Sequence, residues 1–148
     1  MTKDIDRHQT ISHNIVTTEG KNAILNYAFH GTTQVATWYI GLIDDSTPTL
    51  QAADTLASHT WTENTDYSGD RKEWTEGAAS DGSMTNSSTV DFTMDDSGTL
   101  EGFFICGAST GTGAVLYSEV AFTGGDREYV NTDVVKVTAT ITSADDGE

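Results

Sequence analysis

One cysteine, one proline and seven basic side chains are what 148 residues offer, and each shortage removes a class of protein. Cys106 has no intrachain partner, so a disulfide-stapled scaffold is excluded and nothing points to an oxidising compartment. It lies in the apolar run Phe103-Phe104-Ile105-Cys106, where a buried small hydrophobe is expected. The lone proline, Pro48, falls in the polar stretch Asp44-Asp45-Ser46-Thr47-Pro48, and no linker or internal repeat divides the chain. Long apolar runs are missing too. The N-terminal MTKDIDRHQT has no apolar centre of the kind a secretory signal needs, and nothing approaches the roughly 18 apolar residues of a membrane span, so a soluble chain without a membrane partner is expected. The basic residues Lys3, Arg7, Lys21, Arg71, Lys72, Arg127 and Lys136 form no stripe, which argues against binding nucleic acid through phosphate contacts.

What the chain has in excess is acid. Against 7 Lys and Arg stand 23 Asp and Glu, a net charge of −16 and a sequence pI of about 4.2. The acids are 15 Asp and 8 Glu; Asp suits turns and disfavours helices, so the skew fits a loop-rich β protein. At 148 residues one domain removes roughly 70% of its unfolded surface from water, enough for a real core.

The hydrophobic period changes once along the sequence. Residues 1–16 show none, with Ile5, Ile11, Ile15 and Val16 scattered among charges, and read as an extended N-terminal arm that needs a partner, with ordinary fraying of a terminus as the alternative. From Thr18 to Gly31 the pairs Ile24/Ala28 and Leu25/Phe29 recur at spacing four, the mark of one short amphipathic helix. Thr17 or Thr18 serves as its N-cap, Glu19 favours its positive end, His30 lies at the negative end and Gly31 supplies a left-handed stop. Beyond it the pattern is of strands separated by Gly, Ser, Thr, Asp and Asn. Thr37–Ile43 is apolar on both faces and belongs at a sheet centre. Lys72–Glu76 is a weaker strand around Trp74. Ser88–Met94 alternates, with Val90, Phe92 and Met94 inward. Leu100–Cys106, Ala114–Phe122 and Asp133–Thr142 follow, the last placing Val135, Val137, Ala139 and Ile141 on one face. Strands joined by turns rather than helices predict an all-β fold, an antiparallel β-sandwich or jelly roll, over residues 17–142, with an acidic tail at 143–148. The polar stretch 44–83 is long for a compact domain, and its Trp61, Tyr67 and Trp74 are candidate anchors.

Catalytic and metal-binding patterns fail on inspection. Gly107-Ala108-Ser109-Thr110-Gly111 matches G-x-S-x-G, but another strand follows where a nucleophile elbow needs a helix, and no histidine lies downstream of His59. A hairpin loop is the reading. His8, His13, His30 and His59 pair with nothing at ligand spacing, and the calcium-like start at Asp66, Ser68 and Asp70 meets Arg71 where the loop needs glycine. Paired carboxylates abound without specificity for glycoside chemistry. The aromatics Trp38, Trp61, Tyr67 and Trp74 suit a core or an interface better than sugar stacking. No enzyme activity, cofactor or metal is expected.

The segments Val16-Thr17-Thr18-Glu19-Gly20-Lys21-Asn22, Trp38-Tyr39-Ile40-Gly41-Leu42-Ile43 and Tyr67-Ser68-Gly69-Asp70-Arg71-Lys72-Glu73-Trp74, followed by Gly82-Ser83-Met84-Thr85-Asn86 and Gly102-Phe103-Phe104, together resemble a family of small tailed-bacteriophage virion structural proteins, of the capsid decoration or cement type. The resemblance covers residues 16–142. It implies a virion protein on the outer capsid surface that binds the major capsid protein and assembles with itself, as a homotrimer at a symmetry axis. Ile5, Ile11, Ile15 and Val16 of the arm, with Trp61, Tyr67, Arg71 and Trp74, are then the expected capsid or subunit interface. A tail, neck or tail-fibre part, or a carbohydrate-binding module, is the alternative.

Overall fold

The computed structural model describes residues 13–44 and 49–143. In chain order the elements are β1 (His13–Val16), α1 (Thr18–Phe29), β2 (Tyr39–Asp44), β3 (Glu63–Asn64), β4 (Lys72–Glu73), β5 (Ser83–Thr85), β6 (Val90–Thr93), β7 (Gly98–Cys106), β8 (Leu116–Ala121), β9 (Arg127–Tyr129), β10 (Val134–Val137) and β11 (Thr140–Thr142). The fold is all-β with one short helix, and every strand pairing is antiparallel. The main sheet runs β1-β8-β7-β2-β3, with β4 also on β2 and β9 on β7; β10 pairs β6 and β11 pairs β5 in two smaller sheets.

Alternation along the central strands gives the main sheet two buried faces. From one, Ile40, Leu42, Phe103, Ile105 and Val120 meet Val90 and Phe92 of β6 and Val137 of β10, the inner faces of a sandwich. From the other, Ile43, Phe104 and Cys106 lie under Leu56 and Trp61. The first layer matches the expected sandwich. The second is supplied by the polar stretch 49–62, whose few apolar side chains are turned inward.

The final run divides where the sequence reads as one strand. β10 leaves β6 after Val137 and β11 joins β5 from Thr140. Asn86 bridges the switch, its amide donating to Val137 O at 2.9 Å and its side-chain oxygen accepting Ala139 N–H at 2.9 Å. The inward set survives the break: Val137 and Ala139 are buried, and Val135 and Ile141 pack against the same core.

Residues 13–16 of the expected arm form a strand. His13–Val16 is the edge strand of the main sheet, paired residue for residue with Ala121–Ser118 of β8, because a chain with backbone groups lying against an open sheet edge satisfies them by pairing. Ile5 and Ile11 lie outside the described residues.

Thr17 caps α1, its hydroxyl accepting Gly20 N–H at 2.9 Å and donating to Leu116 O. Glu19 does more than favour the helix dipole: its carboxylate accepts the Leu116 N–H of β8 at 2.9 Å. Gly31 takes the left-handed conformation (φ 70°) expected of a helix stop. Contact with the sheet runs through small residues, since Gly20 and Ala23 are the buried positions of α1. A Cβ at Gly20 would run into the Tyr117 backbone, 2.8 Å from its Cα. Gly20→Ala, which in an exposed helix adds about 1 kcal/mol, is therefore expected to cost about 1–3 kcal/mol here by overpacking, read as a lower unfolding midpoint; an unchanged or raised midpoint would show that α1 does not sit this close.

The amphipathic stripe points the other way. At about 100° per residue, Ile24, Leu25, Ala28 and Phe29 centre roughly 140° around the helix from the packed side of Gly20, Ala23 and Tyr27. Ile24 is 44%, Leu25 56% and Phe29 85% exposed. Among the described residues no helix is long and apolar enough to cross a membrane.

Candidate functional site

Polar and aromatic side chains from the polar stretch converge on the main sheet at two places. At the first, Arg71 leaves the turn before β4 and runs inward until only 7% exposed. Burying a guanidinium requires that its donors be met, and they are. Its Nε and Nη2 each bond Glu63 at 2.7 Å, a bidentate pair. Its Nη1 donates to Ala108 O at 3.1 Å and Gly111 O at 2.9 Å, and its plane lies 5.3 Å from the centroid of Phe104. Its own N–H bonds Ser109 O. The paired carboxylate raises the pKa of the guanidinium. Cys106 sits against Arg71, fully buried, its thiol donating to Ala108 O at 3.2 Å; burial pushes its pKa up, the reverse of what a reactive cysteine needs.

This arrangement assigns the G-x-S-x-G stretch. It is a loop between β7 and β8 whose carbonyls are held by Arg71, as a hairpin reading predicts. An open hollow of about 170 Å³ lies beside it, lined by Glu63, Tyr67, Asp70, Arg71, Ser109 and Gly111. Tyr67 is buried edge-on against Phe92, with centroids 4.8 Å apart, and burial raises its pKa.

At the second place, Trp61 lies over Phe104 with centroids 4.7 Å apart and stacks on His59 at 3.6 Å. Its indole N–H donates to Glu119 Oε1 at 3.1 Å. Glu119 is fully buried. Its other oxygen and Oδ2 of Asp54, 7% exposed, are both buried, and the two carboxyl groups lie within hydrogen-bond reach of each other, a bond that one shared proton completes. Burial, with the charge of Asp54 adding to it against the bond from Trp61, pushes the Glu119 carboxyl up to about 7. Two inward carboxyl groups thus fasten the 49–62 stretch to β8.

Trp74, 2% exposed, donates to Asn86 Oδ1 at 2.6 Å, joining β4 to the bridge between β10 and β11. Asp66 accepts the Tyr129 hydroxyl at 2.7 Å, which, after burial, holds the phenol up to about 12. Among the described residues no group of three His, Cys, Asp or Glu is placed to hold a metal ion.

The expected interface set therefore separates. Trp61, Tyr67, Arg71 and Trp74 are all buried, each 7% exposed or less, with Tyr67 and Trp74 in the sandwich core and Trp61 in the cluster on the opposite face of the main sheet. Their places in a polar stretch gave the opposite expectation, because hydropathy averaged over a loop hides single inward side chains. Ile15 and Val16 are half-buried on β1, Val16 bordering a cavity of about 60 Å³ with Tyr117, Val120 and Ile141. Sequence reasoning passed over Glu63, Asp54 and Glu119. The available signal for Glu119 was an acid inside the strand Ser118-Glu119-Val120-Ala121.

Fold and side-chain arrangement define an antiparallel β-sandwich with a helix docked on β8, in which buried polar groups hold loops on the sheet. Residues 15–144 match the family described as Podophage GP4 fiber I protein gp80, and the chain belongs to that family. It is a structural protein of the phage virion. Comparison with curated proteins finds no match.

Proposed function

We propose that this chain is a structural part of a podophage fibre, acting by assembly and not by catalysis. The observation that carries the reading is the family match across 15–144, whose description names a fibre protein. It favours the tail-fibre alternative over the capsid decoration role that the sequence resemblance put first, and the major capsid protein gives way as partner to other fibre components. The chemistry is compatible with it. Arg71, Glu63 and Trp74 are engaged in holding loops on the sheet, Ser109 has no histidine downstream of it to act as a base, and a net charge of −16 opposes nucleic acid partners.

Copy number separates fibre from shell. Quantitative mass spectrometry of purified virions against the major capsid protein is expected to give a few to a few tens of copies per particle. Hundreds of copies would restore the decoration role, and absence from the virion would end both readings.

A further inference from the structure

The apolar stripe of α1 has no partner within the described chain. Ile24, Leu25 and Phe29 are 44%, 56% and 85% exposed, and exposed Ala28 joins them into one continuous strip. Contiguous apolar strips on a protein surface in contact with water mark places of association. The helix is firmly placed: Thr17 and Glu19 tie it to β8, and Gly20 lets it sit against the Tyr117 backbone. A rigid element carries the strip.

Charge selects what covers it. None of the chain's 23 acidic residues falls between Glu19 and Asp44, the longest acid-free interval in the sequence, and the strip lies inside it with Lys21 exposed at its N-terminal end. The nearest acid, Glu19, is held by the Leu116 amide. A cationic partner is steered by the field toward the acidic surfaces elsewhere. Two copies, each at −16, repel wherever their acids face each other, and come together at least cost where each presents apolar side chains from the acid-free segment 20–43. Self-contact of this kind is the usual origin of closed symmetric oligomers.

We propose that the α1 face bearing Ile24, Leu25, Ala28 and Phe29 is where copies of this chain pack against one another. The inference deepens the fibre reading and rests on it for the setting in which copies meet. Copy number in virions judges the fibre reading; the mass of the purified chain judges this one.

The test is sedimentation velocity on the full chain and on the double variant Leu25→Glu/Phe29→Glu, at low salt and at about 0.5 M salt, where the Debye length shrinks to roughly 4–5 Å. The unaltered chain is expected to sediment as a multiple of 15.9 kDa, more tightly associated at high salt because screening removes the repulsion between like-charged copies. The double variant is expected at the single-chain mass, with unchanged far-UV circular dichroism and unfolding midpoint, since both side chains are exposed. In Ala28→Cys, oxidation is expected to join two copies covalently, the buried Cys106 staying out of the reaction. A chain that is monomeric at both salts, or a double variant that still associates, overturns the proposal. So does a monomeric chain whose double variant fails to enter virions, because a different virion protein would then cover the strip.

Discussion

Replacing Arg71 with alanine is expected to remove about 3–5 kcal/mol of stability, a fall in unfolding midpoint on the order of 10 °C for a chain of this size. The size follows from what is left behind. Glu63 loses both charge-assisted bonds while its side chain is only 25% exposed, and the carbonyls of Ala108 and Gly111 lose their donor. Phe104 also loses the cation over its ring. Arg71→Lys should recover only part of the loss, because an ammonium cannot bond Glu63 in two parallel contacts and reach two carbonyls at once. Replacing both charges, Arg71→Met with Glu63→Gln, should fare better than Arg71→Ala alone, since the isolated carboxylate is the costliest remnant. Thermal unfolding of the three variants checks the order; a midpoint for Arg71→Ala within a degree or two of the unaltered chain would show that the guanidinium is not holding the loop.

A second large effect is expected on acid–base titration. The Glu119 carboxyl is pushed from an ordinary value of 4.5 up to about 7, by burial first and by Asp54 beside it. In the unfolded chain it ionises near 4.5, so between these values the folded state binds more protons and stability falls as pH rises. The contribution is fully present below about pH 4.5 and lost by pH 7 to 8; at 1.36 kcal/mol per pKa unit it is on the order of 3 kcal/mol. Glu119→Gln keeps an acceptor for Trp61 and gains a donor toward Asp54 at every pH. It should match the unaltered chain near pH 4.5 and exceed it by on the order of 3 kcal/mol at pH 8. Two stability–pH curves that run parallel would remove Glu119 as the source of the slope.

Much of the sandwich can be read from hydrophobic period because its central strands see packing on known faces. Val90 and Phe92 alternate with exposed Asp91 and Thr93, and the β7 run Phe103–Cys106 is apolar throughout because both faces of the main sheet are covered. Period gives the face of an element, however, and not what lies against it. The α1 stripe was correctly apolar, yet it points away from the sheet, since backbone contact at Gly20 decided the docking side. The burial of four of the expected interface side chains is hidden for a related reason. Trp61, Tyr67, Arg71 and Trp74 sit among Asp, Ser, Thr and Gly in sequence, and only pairing of the short strands β3 and β4 with β2 turns them inward. Glu63 and Arg71 are eight positions apart, a spacing with no meaning in a helix or a strand. Their pairing exists only once the loop has folded back.

The position of β1 also dictates when the helix can exist in its final place. His13–Val16 pairs with strand residues about a hundred positions later, and Thr17 and Glu19 seek their partners at Leu116. During synthesis these N-terminal groups must wait until β8 has emerged, a long-range closure of the sort that makes folding slow. A chain cut short before Leu116 has no platform for α1, so a face that copies share is built only after most of the chain has been made.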